Sequence, residues 1–499
     1  MSTATDAATD RSALGDLAVV LVDGELRPAT GGATFTTVDP ATEEVLGDAA
    51  DATLADLDAA VAAARRAFDD SGWATDVDLR VRCLRQLRDA MQDQLEPLRD
   101  LTIAEVGAPH FLTTGAQLEA PVADLGVMAD LAESYDGWCA DLGEAAPMGM
   151  PSHRWALREA AGVVGAVTPW NFPHQINLAK VGPALAAGCT VVLKAAPDTP
   201  WCASALGRIA TEHTDLPPGV LNVITSSDHA VGAALSADPR VDLVAFTGST
   251  ATGRKVMAAA AERIARVFLE LGGKSAFLVL DDADVAGACS LAAVTASAHA
   301  GQGCAITTRL VVPRARYDEA VEAAAATMSA LGAGDPRQPG TMCGPLISAR
   351  QRERVEGYLR LAVDEGGRFA CGGGRPADRD RGFFIEPTVV AGLGNDARVA
   401  REEIFGPVLT VIAHDGDDDA VAIANDSPYG LSGAVSSADP DRAWAVARRV
   451  RTGTMAINGG VWYAGDVPFG GYKQSGIGRE MGRAGFEEYT EIKAVAEGI

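Results

Sequence analysis

The spacing of hydrophobic positions changes along the chain. Leu54, Leu57, Val61, Ala64 and Phe68 recur at helical intervals behind Thr53, and Asp56 is placed to complete a variant capping box. That spacing predicts a helix starting at Thr53. A second helix, about 77–92, puts Leu79, Cys83, Leu87 and Met91 on one face, which makes Cys83 a core residue. From about residue 162, short apolar runs alternate with helical segments. GVVGAVT (162–168), TVVLKA (190–195), VLNVI (220–224) and VDLVAF (241–246) read as strands, with helices near 176–187, 200–212 and 251–265. Such alternation predicts a parallel α/β sheet with right-handed crossovers.

A second series follows the same pattern. Strands are predicted at 276–280 and 308–313 and near 383–389, 408–413, 431–436 and 454–458, with helices near 284–299 and 316–330. The Gly- and Pro-rich stretch 332–348 is expected at the surface or in a cleft. The domain change falls near 271–274, where two glycines follow Glu270, and a cleft between α/β domains suits a cofactor and a substrate. SHRWAL (152–157) is an alternating strand that need not belong to the first sheet, and YTEIKAVAEG (489–498) is another. Read as strands without a partner, they predict pairing across subunits and therefore an oligomer. Residues 17–50 hold short β-like pieces, and 1–16 read as a disordered tail.

Composition narrows the class. A chain of 499 residues predicts two or three domains, and 47% hydrophobic content suits a globular protein. The formal charge of −25 disfavours nucleic acid and anionic membranes as partners. No apolar stretch is long enough for a transmembrane helix, and the start lacks the pattern of a secretory signal. The eight cysteines contain no CxxC pair, which predicts reduced thiols in a cytoplasmic protein and no metal site.

Candidate chemistry sits in two stretches, LELGGKS (269–275) and GQGCAITTR (301–309). A thiol can trap a carbonyl, and a carboxylate can activate the water that releases the product. Cys304 lies between small residues that leave room for a substrate, yet free cysteine is more often a buried apolar residue. Glu270 ends an apolar run, where it is either a working carboxylate or half of an ion pair with a base such as Lys274. Asn171, in TPWNFP (168–173), is either an oxyanion donor or a loop residue bonded to nearby backbone. FTGSTATG (246–253) follows a strand and opens a helix, which suits a pyrophosphate or an ordinary capped turn. Lys194 ends a strand, where it either reaches a nucleotide or is solvated.

The ordered set TPWNFP, VVLKAAPDTP, FTGST, LELGGKS, GQGC, EEIFGPV (402–408), NDSPYGLSGAV (425–435) and PFGGYKQSGIGRE (468–480) resembles the NAD(P)-dependent aldehyde dehydrogenase superfamily over about residues 18–495. The 34-residue interval from Glu270 to Cys304 also suits it. The resemblance implies an α/β fold of three parts. A Rossmann-like cofactor domain comprises 17–140 and 161–270, a catalytic α/β domain 271–468, and a small β oligomerisation flap 141–160 with 485–499. It also implies a homo-oligomer, a dimer or a tetramer.

Roles carry over by resemblance. Cys304 is similar to the nucleophile, and Asn171 with the Cys304 backbone N–H to the oxyanion donors. Glu270 is similar to the general base, and Lys180 and Glu480 to residues near a proton exit. Thr168, Pro169, Trp170, Lys194, Gly248, Ser249, Leu271, Glu403 and Phe405 are implied cofactor contacts. Phe172, Ile176, Trp462, Tyr463 and Phe469, with Trp170 beside them, are implied around an aldehyde tunnel that favours a neutral, apolar or aromatic aldehyde. His174 is expected at the surface, with a tunnel contact as its alternative. The segment 174–179 lacks the arginine that a carboxylate-bearing semialdehyde would need. The implied cofactor is NAD. Pro197 stands where many NAD-using members carry a glutamate, which leaves NADP open, and Asp198 is adjacent. Two rival readings are a CoA-acylating enzyme, against which Glu270 counts, and a catalytically silent binding or structural protein on the same fold.

Overall fold

The computed structural model describes residues 14–499, so of the expected tail residues 1–13 lie outside the described residues. Leu14 is already buried in the core, and the Asp16 carbonyl accepts a hydrogen bond from Arg208 Nη2 at 2.7 Å, so the chain is anchored from Leu14 onward.

Two large sheets organise the molecule. The first has eight strands in the order Gly476–Ile477, Arg266–Glu270, Leu243–Thr247, Val163–Val167, Thr190–Ala195, Leu221–Thr225, Val20–Val22 and Glu25–Arg27. The five central strands are parallel; Gly476–Ile477 and Val20–Val22 flank them antiparallel, and the outermost Glu25–Arg27 pairs antiparallel with Val20–Val22. The chain builds from Val163–Val167 in one direction, then returns to place Leu243–Thr247 on its other side. That reversal makes a topological switch point, and a crevice opens beyond the carboxyl ends of such strands. The central strands are buried on both faces, which is why they read as unbroken apolar runs.

The second sheet has seven strands in the order Arg368–Cys371, Thr388–Ala391, Val408–His414, Thr307–Pro313, Ser275–Val279, Gly433–Ser436 and Ala456–Ile457. All its pairings are parallel except that of Arg368–Cys371 with Thr388–Ala391. The strand expected near 383–389 is therefore shifted, because Phe383 and Ile385 pack as loop side chains in a separate apolar cluster.

The helix Leu54–Asp70 carries the predicted capping box at Thr53 and Asp56, but Leu54 itself is exposed. Cys83 is buried in Val77–Asp93 as expected. The stretch 332–348 is exposed only in its first half, since Cys343, Leu346 and Ile347 are buried against the second sheet's loops. The two strands expected to lack partners pair with one another. Ser152–Ala160 lies between Thr490–Gly498 and Cys139–Ala145 in a three-stranded antiparallel sheet with exposed faces. Among the described residues no helix is long and apolar enough to cross a membrane.

Candidate functional site

Two cavities meet at the seam between the large sheets. One, about 280 Å³, lies beyond the carboxyl ends of Val163–Val167 and Leu243–Thr247, at the switch point. Pro169, Trp170, Thr247, Gly248, Ser249, Glu270, Leu271, Gly272, Gln351, Arg354, Glu403 and Phe405 line it. The other, about 400 Å³, is walled by Phe172, Ile176, Phe277, Leu291, Ile306, Val461, Trp462, Tyr463 and Phe469 among others, and no charged side chain lines it. Among the described residues only Asn171 and Cys304 line both.

Cys304 follows a left-handed stretch in which His299, Ala300 and Gly301 have φ of 52°, 51° and 70°. The glycine is required there, because a Cβ on Gly301 would collide with the Gly406 carbonyl. Part of the thiol surface faces the cavities, but the walls remove most bulk solvent. Burial first, then the Glu270 carboxylate, pushes the Cys304 thiol far above its ordinary value.

Asn171 is held from three directions. Its backbone carbonyl accepts from Gln117 Nε2 and from His299 Nε2, each at 2.8 Å, and its Nδ2 donates to the Gln302 carbonyl at 2.9 Å. One N–H of the side-chain amide is thereby used and the other is left over. Gln302 is itself fixed, since its Oε1 accepts from the Ile347 N–H at 2.9 Å and its Nε2 donates to the His299 and Pro345 carbonyls.

Glu270 ends the Arg266–Glu270 strand and is 2% exposed. It makes no ion pair with Lys274, whose ammonium has no hydrogen-bond partner among the described residues, and its own oxygens meet only a loose contact from the Gly471 N–H. Burial, followed by the nearby Glu480 carboxylate, raises the Glu270 pKa well above 4.5, and Lys180, Arg479 and the Gly471 N–H only partly oppose this. Burial pulls the Lys274 amine down to about 7. Lys180 and Glu480 form a buried pair at 2.7 Å, with the Lys180 ammonium 4.7 Å from the Phe268 ring centroid.

The other expected cofactor contacts divide. Glu403 reaches the cavity, its Oε1 accepts from the Gly273 N–H at 3.0 Å, and burial raises its pKa. Phe405 stands edge-to-face with Trp170 at 5.5 Å. Trp170 thus belongs to the polar cavity and not to the tunnel. Ser249 caps the helix Thr250–Ala261 through the Thr252 N–H, and that N-terminus opens on the cavity. Thr168 is buried, with an unpartnered hydroxyl, and lines neither cavity. Lys194 also lines neither. Its Nζ is buried on the Ser226 carbonyl at 3.1 Å, and burial lowers it to about 8. Asp198 is raised by burial, with Arg350, His229 and Lys194 opposing.

On the tunnel side Phe172, Ile176, Trp462, Tyr463 and Phe469 all contribute to the wall, and Trp462 stacks on Phe469 at 5.4 Å. His174 corrects both alternatives. It is neither at the surface nor in the tunnel but buried, and its pKa falls to about 4. Sequence reasoning missed Thr247, Gln351 and Arg354 on the polar side and His299 and Gln117 beneath Asn171. The last two carry no motif that distinguishes them from core residues.

A profile described as the aldehyde dehydrogenase family matches residues 27–495. The chain is 43% identical over 479 residues to the 3-succinoylsemialdehyde-pyridine dehydrogenase of a Pseudomonas species, covering 95% of this chain and 97% of that protein. It is 42% identical over 463 residues to the geranial dehydrogenase of Castellaniella defragrans, covering 92% and 94%. Among solved structures, that of an aldehyde dehydrogenase from Mycobacterium tuberculosis complexed with NAD+ matches with a TM-score of 0.92 at 40% identity, covering 96% and 97%.

Proposed function

The chain belongs to the aldehyde dehydrogenase family, and from that premise we propose that Cys304, Asn171 and Glu270 carry out the oxidation of an apolar aldehyde to its carboxylic acid with reduction of NAD+. The protein is an NAD(P)-dependent aldehyde-oxidising enzyme. The observation that carries the residue assignment is the sharing of Asn171 and Cys304 by both cavities. Carbonyl carbon and cofactor can meet only there.

The polar cavity suits a dinucleotide. It sits at a sheet switch point, a helix N-terminus opens on it for a pyrophosphate, and Glu403 offers a carboxylate to ribose hydroxyls. When bound, NAD+ accepts the two electrons and the hydrogen that leave the substrate carbon. The chain's own residues do the rest. The Cys304 thiolate attacks the carbonyl carbon, and the π pair moves to oxygen, giving a thiohemiacetal. The free N–H of Asn171 Nδ2 and the Cys304 backbone N–H bind that oxygen. Loss of hydride reforms the C=O and leaves a thioester. Glu270 removes a proton from water, which attacks the acyl carbon. The C–S bond then breaks, returning the thiolate and releasing the acid. The proton taken by Glu270 is next to the Lys180–Glu480 pair, which supports an exit by that side.

The uncharged tunnel wall supports a neutral aliphatic or aromatic aldehyde. We assign 17–140 with 161–270 to cofactor binding, 271–468 to the catalytic domain, and 141–160 with 485–499 to a flap that joins subunits of a dimer or tetramer. The exposed three-stranded sheet supports that flap. All eight cysteines are free thiols, in keeping with a reducing cytoplasm.

A panel of alkyl, aryl and carboxylate-bearing aldehydes, run with NAD+ and NADP+ in parallel, tests the reading. Apolar aldehydes with NAD+ should give free acid and one NADH each, and Cys304→Ala should abolish turnover while calorimetry still detects NAD+ binding. Turnover retained by Cys304→Ala, or acyl-CoA formed in preference to acid, refutes it.

A further inference from the structure

We propose that His299 is a positioning residue for the reaction, holding the Asn171 carbonyl so that the Asn171 side-chain amide stays aimed at the substrate oxygen; this rests on the oxyanion role given to Asn171. His299 is 1% exposed and lines neither cavity, so it touches no reacting atom. Its Nε2 lies 2.8 Å from the Asn171 carbonyl oxygen. A carbonyl oxygen only accepts, so Nε2 carries the proton and Nδ1 is bare. Nδ1 indeed has no partner. Burial lowers the ring's pKa to about 4, which keeps it a neutral donor through the neutral range.

The geometry forms a closed loop of hydrogen bonds. His299 Nε2 binds the Asn171 carbonyl, Asn171 Nδ2 binds the Gln302 carbonyl at 2.9 Å, and the Gln302 N–H returns to the His299 carbonyl at 3.1 Å. The loop ties the strand-end segment of Asn171 to the segment that leads into Cys304. His299 occupies it at a φ of 52°, a left-handed conformation that a residue with a side chain adopts only when its surroundings fix it. The His299 N–H, donating to the Met342 carbonyl at 3.1 Å, is one such fixing contact. The ring also meets Phe172 edge-to-face at 5.3 Å, which places it under the tunnel wall. Oxyanion stabilisation falls steeply with misplacement of the donor, so a second donor on the Asn171 backbone has a catalytic consequence.

The test separates the donor from the ring. His299→Phe keeps an aromatic ring beside Phe172 and removes the donor, whereas His299→Gln keeps an N–H at similar reach and removes the ring. With an aldehyde that the wild type oxidises, the rate of the NADH burst is measured by rapid mixing, alone and combined with Asn171→Ala. Asn171→Ala should slow the burst ~10²–10³-fold. His299→Phe should slow it about tenfold at nearly unchanged KM, and His299→Gln should restore it to within about threefold of wild type. In the Asn171→Ala background His299→Phe should add nothing, because its effect runs through Asn171. A fully multiplicative effect in that background overturns the inference, as does a wild-type burst in His299→Phe. Should His299→Phe fail to fold, a His299→Gln enzyme of wild-type melting temperature that is slowed tenfold overturns it. If Asn171→Ala itself leaves the burst unchanged, the oxyanion reading fails first, and that outcome is distinct from the others.

Discussion

Replacing Glu270 by glutamine keeps the shape of a residue that is 2% exposed but removes its ability to take a proton. Neither carboxylate oxygen is tied in a close hydrogen bond, the Gly471 N–H making only a loose contact, so the wild-type group is free to receive the proton of an attacking water. Loss of a general base costs ~10²–10⁴ in rate, or about 3–5 kcal/mol of barrier. The loss should fall on thioester hydrolysis alone. Rapid mixing should then show an NADH burst approaching one per active site, followed by a steady state slowed by that factor. A deacylation rate within about threefold of wild type would sink the assignment.

The electrostatics give this prediction two further arms. After burial, Glu270 is the charge that raises the Cys304 thiol most, so Glu270→Gln should lower that pKa and shift iodoacetamide alkylation to lower pH. An upward shift would contradict the charge arrangement. The second arm is pH dependence. Only ionised Glu270 is a base, so wild-type deacylation should climb with pH through its raised pKa, and the variant should lose that climb. For stability the sign is the reverse. The folded protein holds a proton that the unfolded chain gives up near 4.5, so this group's contribution falls as pH rises above that value toward the folded pKa. Glu270→Gln should therefore melt above wild type at alkaline pH, with the gap closing toward pH 4.5.

Two other substitutions test the surroundings. Lys180→Met leaves the Glu480 carboxylate buried without its 2.7 Å partner and should cost about 3–5 kcal/mol in urea unfolding, most of it recovered in Lys180→Met/Glu480→Leu. Trp462→Ala removes half of the pair stacked at 5.4 Å and should raise KM for aryl aldehydes about tenfold while leaving acetaldehyde nearly unchanged, as an aldehyde-length series would read out.

The parallel strands were legible because burial on both faces forces continuous apolar runs. The two-residue strand Gly476–Ile477 was not, since so short an edge has no period, whereas Ala456–Ile457 falls inside the strand expected near 454–458. The helix Glu119–Ser134 also escaped. It packs Val122, Leu125, Met128 and Ala132 into a large core, but its outer face also carries the exposed Ala123 and Val127, so apolar residues are not confined to one stripe. At the site, Cys304, Glu270 and Asn171 were reached through motifs, whereas Gln351 and Arg354 sit on the helix Ala349–Asp364 among charges that look like an ordinary solvated face. Lys194 was placed at a strand end correctly, but burial of its amine on Ser226 depends on a neighbouring strand's loop that no local pattern encodes.

Glu270 and Lys274 flank the glycine pair through which the chain passes from the first sheet to the second. Two opposite charges so near in sequence would pair at a surface, yet here both are buried and neither forms an ion pair among the described residues. The backbone keeps them apart. A Cβ at Gly272 would collide with the Glu403 carboxylate, and one at Gly273 would lie 2.7 Å from the Cys304 carbonyl, so the chain threads the seam only as bare peptide. Lys274 then enters a small pocket with Arg309 and Tyr429, while Glu270 faces the polar cavity. Pairing would have depressed the Glu270 pKa and made it a poor base; separation lets burial raise it instead. This separation has a consequence for Lys274→Met. If the two groups were coupled, losing the ammonium would shift the pH profile of deacylation upward. With Glu270 governed by Glu480, Lys180 and Arg479, the profile should stay where it is in rapid-mixing traces, and a shift of one pH unit would refute the separation.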